Sequence, residues 1–510
     1  MARSTMLGLL FLAFTVGTGP RALGGDDHQP LEPEPGVGEV ALVYEVRHED
    51  RVLRQYEVRS LSQLSYLVGS GGEAVVIDPQ RDVERYVEDA TSLGLKITKV
   101  ILTHTHTDFV AGHAELRART RAEVVIARDL ALGWSSITVG AWELGLRPLE
   151  GGERDALLIR VEAATGEDTS RFVLTGDAVL VGTVGAPADV GEGPTPFDLA
   201  GQIRDAVQVV KGLPADTKIL PGHGGGHFEG RTLESYTVTS VRRESAENPF
   251  FRIESRSGFL AGVLDLPSST PAALRRVAAL NRSGPPQVDW AETLSRIPAE
   301  RLSSQEDVWV VDVRSQEAYA SGHVLGAVNL PRTGPFEMVL PAVVPPRTPV
   351  ILVGSEEEAW DAARRLHRVG YAAHGVLAGA PTDWGNAGCA VERCAFIEVK
   401  DLARRKAAGI EPLLVDVRSP VEYREGRIAG CVNVPIQRLQ RLTCLLGEDA
   451  RAVMVCKTGY RSGIAVGLAE RMGLRGAGNL RGGLQAWREA GLPVLPVHAV
   501  TAPGHAAGTR

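Results

Sequence analysis

The chain has 510 residues, 44% apolar and 23% charged, with a net charge of −7. This composition is that of ordinary globular protein, which excludes a collagen, a coiled coil and wholesale disorder, and the acidic balance argues against nucleic acid as a partner. Five cysteines, all after residue 388, are too few for a disulfide scaffold, and the odd number leaves at least one thiol unpaired within the chain.

Residues 1–24 have the layout of a signal peptide: Arg3, an apolar run from Met6 to Val16, the breakers Gly17, Gly19 and Pro20, and small residues at Ala22 and Gly24. The run is too short to span a membrane, and no other stretch approaches roughly 18 apolar residues. The expectation is an exported protein, periplasmic or secreted, with no membrane span; a mis-chosen start codon would instead leave it cytoplasmic. Residues 25–39 read as a flexible lead-in rich in Pro and Glu.

Residues 40–265 alternate between strand and helix patterns. "SYLVGSGGEAVVIDP" reads as two strands around a glycine turn, Arg81–Leu93 as an amphipathic helix, and "ITKVILT" as a strand running into a histidine cluster. There His104, His106 and Asp108 alternate. Asp177 closes a second strand ("FVLTGD") and His223 a third ("ILPGH"). Imidazoles and carboxylates at strand ends can point into one metal site, so these five are the candidate ligands. Residues 266–287, with four prolines, read as a linker.

The remainder is an internal repeat, residues 288–392 and 393–497, with a tail at 498–510. "VVDVRSQEAYASGHVLGAVNLP" from Val310 matches "LVDVRSPVEYREGRIAGCVNVP" from Leu414. Each copy reads as a small α/β unit with a parallel sheet. In the second copy the strand "AVMV" runs into Cys456-Lys457-Thr458-Gly459-Tyr460-Arg461-Ser462 and then a helical pattern. A loop of N–H groups above a helix N-terminus favours an anion, and with Lys457 and Arg461 nearby it favours the thiolate of Cys456. The first copy has Gly354-Ser355-Glu356-Glu357-Glu358 there, with no thiol and three carboxylates, so it reads as structural. Cys431 reads as a small buried hydrophobe and Cys444 as part of the approach to the central strand. Cys389 and Cys394 could pair as a disulfide in an exported protein.

The Cys-x-x-Gly-x-Arg-Ser loop, with the run carrying Asp416, Arg418 and Glu422 and the closing "GG…W…G", resembles the rhodaneses. That resemblance implies that Cys456 carries sulfur, that Arg461 and the loop amides of Lys457, Gly459 and Ser462 bind an anionic donor, and that Asp416, Arg418 and Glu422 support the loops. The histidine block ("THTHTDFVAGHAEL", "TGDAVLVG", "LPGHGGG"), with the linker "LNRSGPP", resembles the metallo-β-lactamase superfamily and within it the persulfide dioxygenases fused to rhodanese domains. The implied fold is an αββα domain followed by two rhodanese-like domains, and the implied cofactor is one Fe(II), or Zn, in the first domain and none in the others. Two departures stand out. Phe109 replaces the signature's last histidine, and the iron-site histidine that the family carries about 20 residues before the aspartate is missing, since no His or Cys lies between His113 and His223. His106 or His223 could complete an altered site, Glu150 or Glu153 could substitute, or the domain could survive as a scaffold. The favoured reading is a sulfurtransferase acting on small sulfur anions and low-molecular-weight persulfides or thiols, with a homo-oligomer left open. The rivals are a persulfide-sensing or docking module, and a two-zinc hydrolase of the metallo-β-lactamase type.

Overall fold

The computed structural model describes residues 39–495 apart from short segments at 151–155, 165–169, 188–192, 225–226, 229–230, 267–271, 291–293, 303–307, 411 and 443–450. The signal-peptide, lead-in and tail readings, Glu153 and Cys444 lie outside the described residues.

The first domain is built on two six-stranded sheets. In one, the spatial order follows the chain from Ala41–His48 to Glu123–Val125. In the other the order is Thr239–Ser240, Lys218–Pro221, Arg171–Gly176, Leu157–Ala163, Trp142–Pro148 and Ser135–Val139. "SYLVGSGGEAVVIDP" forms the expected hairpin, Gln63–Ser70 against Glu73–Ile77. Alternate apolar residues of both sheets, including Leu53, Ile77, Trp142, Leu146 and Leu174, meet in one buried core. The opposite faces pack on helices, with Tyr86 and Leu116 on the first sheet and Ile203, Val207 and Phe259 on the second. This is the αββα layering expected.

The linker is not a simple tether. Residues Ala272–Ser283 form a helix, and its buried Asn281 accepts from Ala111 N–H (2.9 Å) and donates to His106 O (2.9 Å) and Phe109 O (2.8 Å). The prolines that suggested a spacer flank the helix rather than interrupt it.

Each repeat carries a five-stranded parallel sheet. The first has the order Arg296–Ile297, Ala373–Leu377, Val350–Val353, Trp309–Asp312, Val328–Asn329. The second has Ala395–Ile397, Gly478–Leu480, Ala452–Val455, Leu413–Asp416, Cys431–Asn433. The repeats are not independent beads: Val311, Leu352 and Ala362 of the first and Val415, Met454 and Ile464 of the second belong to one apolar core. Buried charge ties the first repeat to the αββα domain. Arg368 forks onto Asp82 (2.8 and 2.5 Å), Arg365 and Arg368 both bind Glu337, and Ser60 donates to Glu337 (2.9 Å). Buried arginines are tolerated only with such paired carboxylates.

Candidate sulfur-carrying site and histidine cluster

Cys456 follows the central strand of the second repeat at its C-terminal end, where parallel α/β sheets bind ligands. Its side chain is almost wholly buried. Gly459 donates its N–H to Cys456 Sγ at 3.1 Å. Ser462 Oγ lies 3.4 Å from Sγ and 2.7 Å from Asn479 Oδ1, so one hydroxyl proton serves both.

Gly459 is the cap of the helix Tyr460–Arg471, with φ +98° and ψ −13°. A ψ near zero turns the N–H groups of Gly459 and Tyr460 to the same side, making the anion-binding nest that the loop's sequence implies. The first-turn N–H groups of the helix add their unpaired donors and dipole. Gly483 (φ +59°) lets the following loop press on this backbone, and Leu484 and Gln485 donate N–H to Cys456 O (2.8 Å) and Lys457 O (2.9 Å).

Arg461, in the first turn of the same helix, is half-buried, its guanidinium held bidentately by Glu422 at 2.9 and 2.6 Å. Burial pushes the Glu422 carboxyl up, but the Arg461 bonds outweigh it and bring it down to about 2. Glu422 is thus the direct partner of the expected anion-binding arginine. The Lys457 side chain is exposed. Arg418 forks onto Asp416 (2.9 and 2.6 Å) and donates to Gly426 O (2.7 Å), and Arg314 and Asp312 repeat this clasp in the first copy, so the pair is architectural.

The first copy has a two-residue junction where the second has a four-residue loop. Ser355 caps the helix Glu356–Arg368 in a capping box with Glu358. The helix's own carboxylate occupies the place an anion would take. The remaining described thiols are free: Cys389 donates to Ala299 O, so the disulfide with Cys394 is not formed, and burial pushes Cys394 and Cys431 up to about 12.

In the αββα domain the strand ends converge, but not as expected. His223 Nδ1 meets Asp177 at 2.6 Å and Nε2 meets Asp108 at 2.9 Å. His104 Nε2 lies 3.3 Å from Asp177. Burial opposes charge on both imidazoles, but the carboxylates outweigh it, raising His104 to about 9 and His223 to about 10. His106 departs from this group. It is buried, and its Nε2 meets Asp78 at 2.9 Å, a carboxylate that also accepts from Thr103 N–H and Oγ1. Asp78 holds a positive φ of 52°, a strained backbone that the sequence did not flag. Glu150, the possible substitute, turns outward to Arg147 and is largely exposed.

A cavity of about 100 Å³ reaches His104 and Asp177, lined also by Thr107, Leu149 and Gln202, but not His106, Asp108 or His223. His106 Nδ1 is a buried nitrogen without a hydrogen-bond partner, since the ring turns its Nε2 to Asp78. Among the described residues no three His, Cys, Asp or Glu side chains converge in a way that would hold a metal ion. Both nitrogens of His223 are already committed to carboxylates. As arranged, the five candidate ligands do not fit an Fe(II) or Zn centre. They form a chain of alternating imidazole and carboxylate, His104–Asp177–His223–Asp108, while His106 packs on the His104 ring (4.2 Å between centroids) but is bonded to Asp78 instead.

Comparison with known proteins agrees with this architecture. The Rhodanese-like domain family matches residues 298–387 and 398–490, and the Metallo-beta-lactamase superfamily matches 58–144. A sulfurtransferase of Allochromatium vinosum is 32% identical over 99 residues, covering 19% of this chain and 92% of that protein. The chain spans less than half the length of two further curated relatives. A metallo-beta-lactamase from Staphylococcus aureus superposes with a TM-score of 0.57 at 24% identity over 64% of this chain and 99% of its own, a likeness of fold. The structure of ETHE1 from Myxococcus xanthus is 28% identical over 45% of this chain and 98% of its own, with a TM-score of 0.38. The chain therefore belongs, through its C-terminal half, to the rhodanese-like family, with two such domains following a metallo-beta-lactamase domain.

Proposed function

We propose that this protein is a sulfurtransferase that carries sulfane sulfur on Cys456. The observation that carries the reading is a buried thiol that accepts Gly459 N–H from the loop's nest, with Arg461 of the same loop held by Glu422. With thiosulfate as donor, the Cys456 thiolate attacks the outer sulfur. The sulfur–sulfur bond breaks, sulfite leaves with the electron pair, and the cysteine holds a persulfide anion on the same amides. A nucleophilic acceptor such as cyanide, sulfite or a thiolate then takes the outer sulfur, and the bonding pair returns to Cys456. Low-molecular-weight persulfides are the second donor class, with a thiolate as leaving group.

The test is sulfur transfer from thiosulfate and from glutathione persulfide by the wild type and by Cys456→Ser. Equal activity in the two proteins overturns the reading. For the αββα domain alone, the imidazole–carboxylate chain favours a scaffold role, and we derive no metal-dependent oxidation from it. Export belongs to this proposal as well, and N-terminal sequencing of the mature protein tests it: an intact Met1 overturns export.

A further inference from the structure

The first repeat lacks a thiol, yet it reaches into the sulfur site of the second. Gln316 opens the first repeat's helix Gln316–Ser321. Its Nε2 donates to Gly459 O at 2.9 Å and lies 3.5 Å from Tyr460 O. Gly459 O also accepts from Asn479 Nδ2 at 3.0 Å and from Gly463 N at 3.1 Å. A Cβ on Gly463 would sit 2.5 Å from Gln316 Nε2, so the approach uses a glycine of the nucleophile's own helix. One turn on, a Cβ on Gly467 would meet Ala327 O at 2.3 Å, so the first repeat is pressed against this helix along its length. At the mirrored place the second repeat has Pro420, whose ring carries no side-chain donor. The contact therefore runs one way, from the thiol-free repeat to the thiol-bearing one.

We propose that Gln316 is a positioning residue for the sulfur-carrying site, contributed by the repeat that has no cysteine. A trans peptide sets its C=O and N–H antiparallel. Holding Gly459 O outward therefore holds Tyr460 N–H on the inner side, where the ψ of Gly459 aligns it with the N–H that reaches Cys456 Sγ. Donors on the carbonyl also polarise that peptide and strengthen its N–H. The thiol-free repeat is retained, in this view, because it locks the nest.

This inference rests on the sulfurtransferase reading, and its test separates the two. Full-length wild type, Gln316→Leu and His323→Gln are compared. His323 bonds Glu470 (2.8 Å) across the same interface at the far end of the same helix. The first readout is the pH profile of Cys456 alkylation by iodoacetamide, followed on the Cys456 peptide by mass spectrometry. The second is kcat and KM for thiosulfate-to-cyanide transfer. Gln316→Leu is expected to move the alkylation midpoint upward by about half a pH unit, since thiolate stabilisation is lost, and to lower kcat about five-fold, the worth of one hydrogen bond. His323→Gln is expected to leave both in place. An unmoved profile in Gln316→Leu, or an equal move in His323→Gln, overturns the proposal. Alkylation needs no turnover, so a wild type inactive in transfer counts against the proposed function alone.

Discussion

Gly483→Ala isolates the geometry of the sulfur site. A Cβ at this position would lie 2.5 Å from Cys456 O and 2.8 Å from Lys457 C and O, all backbone atoms. Ordinary contact begins at 3.4 Å, so the peptide beneath the thiol must retreat by about 0.9 Å. The left-handed backbone costs the new side chain a further 1–2 kcal/mol or so. Displacement near 1 Å at a reacting centre costs on the order of 100-fold. The expected result is a fall in kcat of that order with the protein still folded. Gly491→Ala is the control. It has φ +69° but nothing within 4 Å of where the alanine methyl would stand, so it carries the strain without the collision. It should lower Tm slightly and leave transfer intact. Full activity in Gly483→Ala, or equal loss in both variants, would refute the claim that this loop sets the position of the thiol.

Three further outcomes are expected. Glu422 is held down at about 2 against an ordinary 4.5, so its stabilisation is full above pH 4.5 and is lost as pH falls through 2. Glu422→Gln should cost about 1–2 kcal/mol at neutral pH after allowance for the pair's partial exposure, and denaturation curves should converge with wild type in acid; a pH-independent gap would contradict the ion pair. Asn281→Ala strips partners from three buried backbone groups and should cost about 2–4 kcal/mol, read as faster amide exchange over residues 106–111. Protein from iron-supplemented cells should carry well below one iron or zinc per chain by elemental analysis. Stoichiometric iron with oxygen uptake on glutathione persulfide would show that the imidazole–carboxylate chain opens to a metal.

What the sequence determined by itself was the part of the chemistry made by contiguous chain. The strand-to-helix junction at Cys456, the glycine three residues on and the longer loop relative to Gly354 are local features, and a nest is built from successive backbone amides, so its parts are neighbours in sequence. The repeat and the strand-end histidines were legible for the same reason, since alternation and spacing are local geometry. Only the tertiary structure decided which side chains those groups meet. Asp78 lies 28 residues before His106 in the chain and claims it; Asp108 and Asp177 claim both nitrogens of His223; Glu422 claims Arg461; Asn281 turns a linker into a clamp on the histidine loop. Gln316 reaches Gly459 across 143 positions and a domain boundary. A side chain's partner depends on how layers pack, and packing joins residues whose separation along the chain carries no periodic signal, so a ligand set read from strand ends became a network of ion pairs among its own members, with Asp78 from outside the set taking His106.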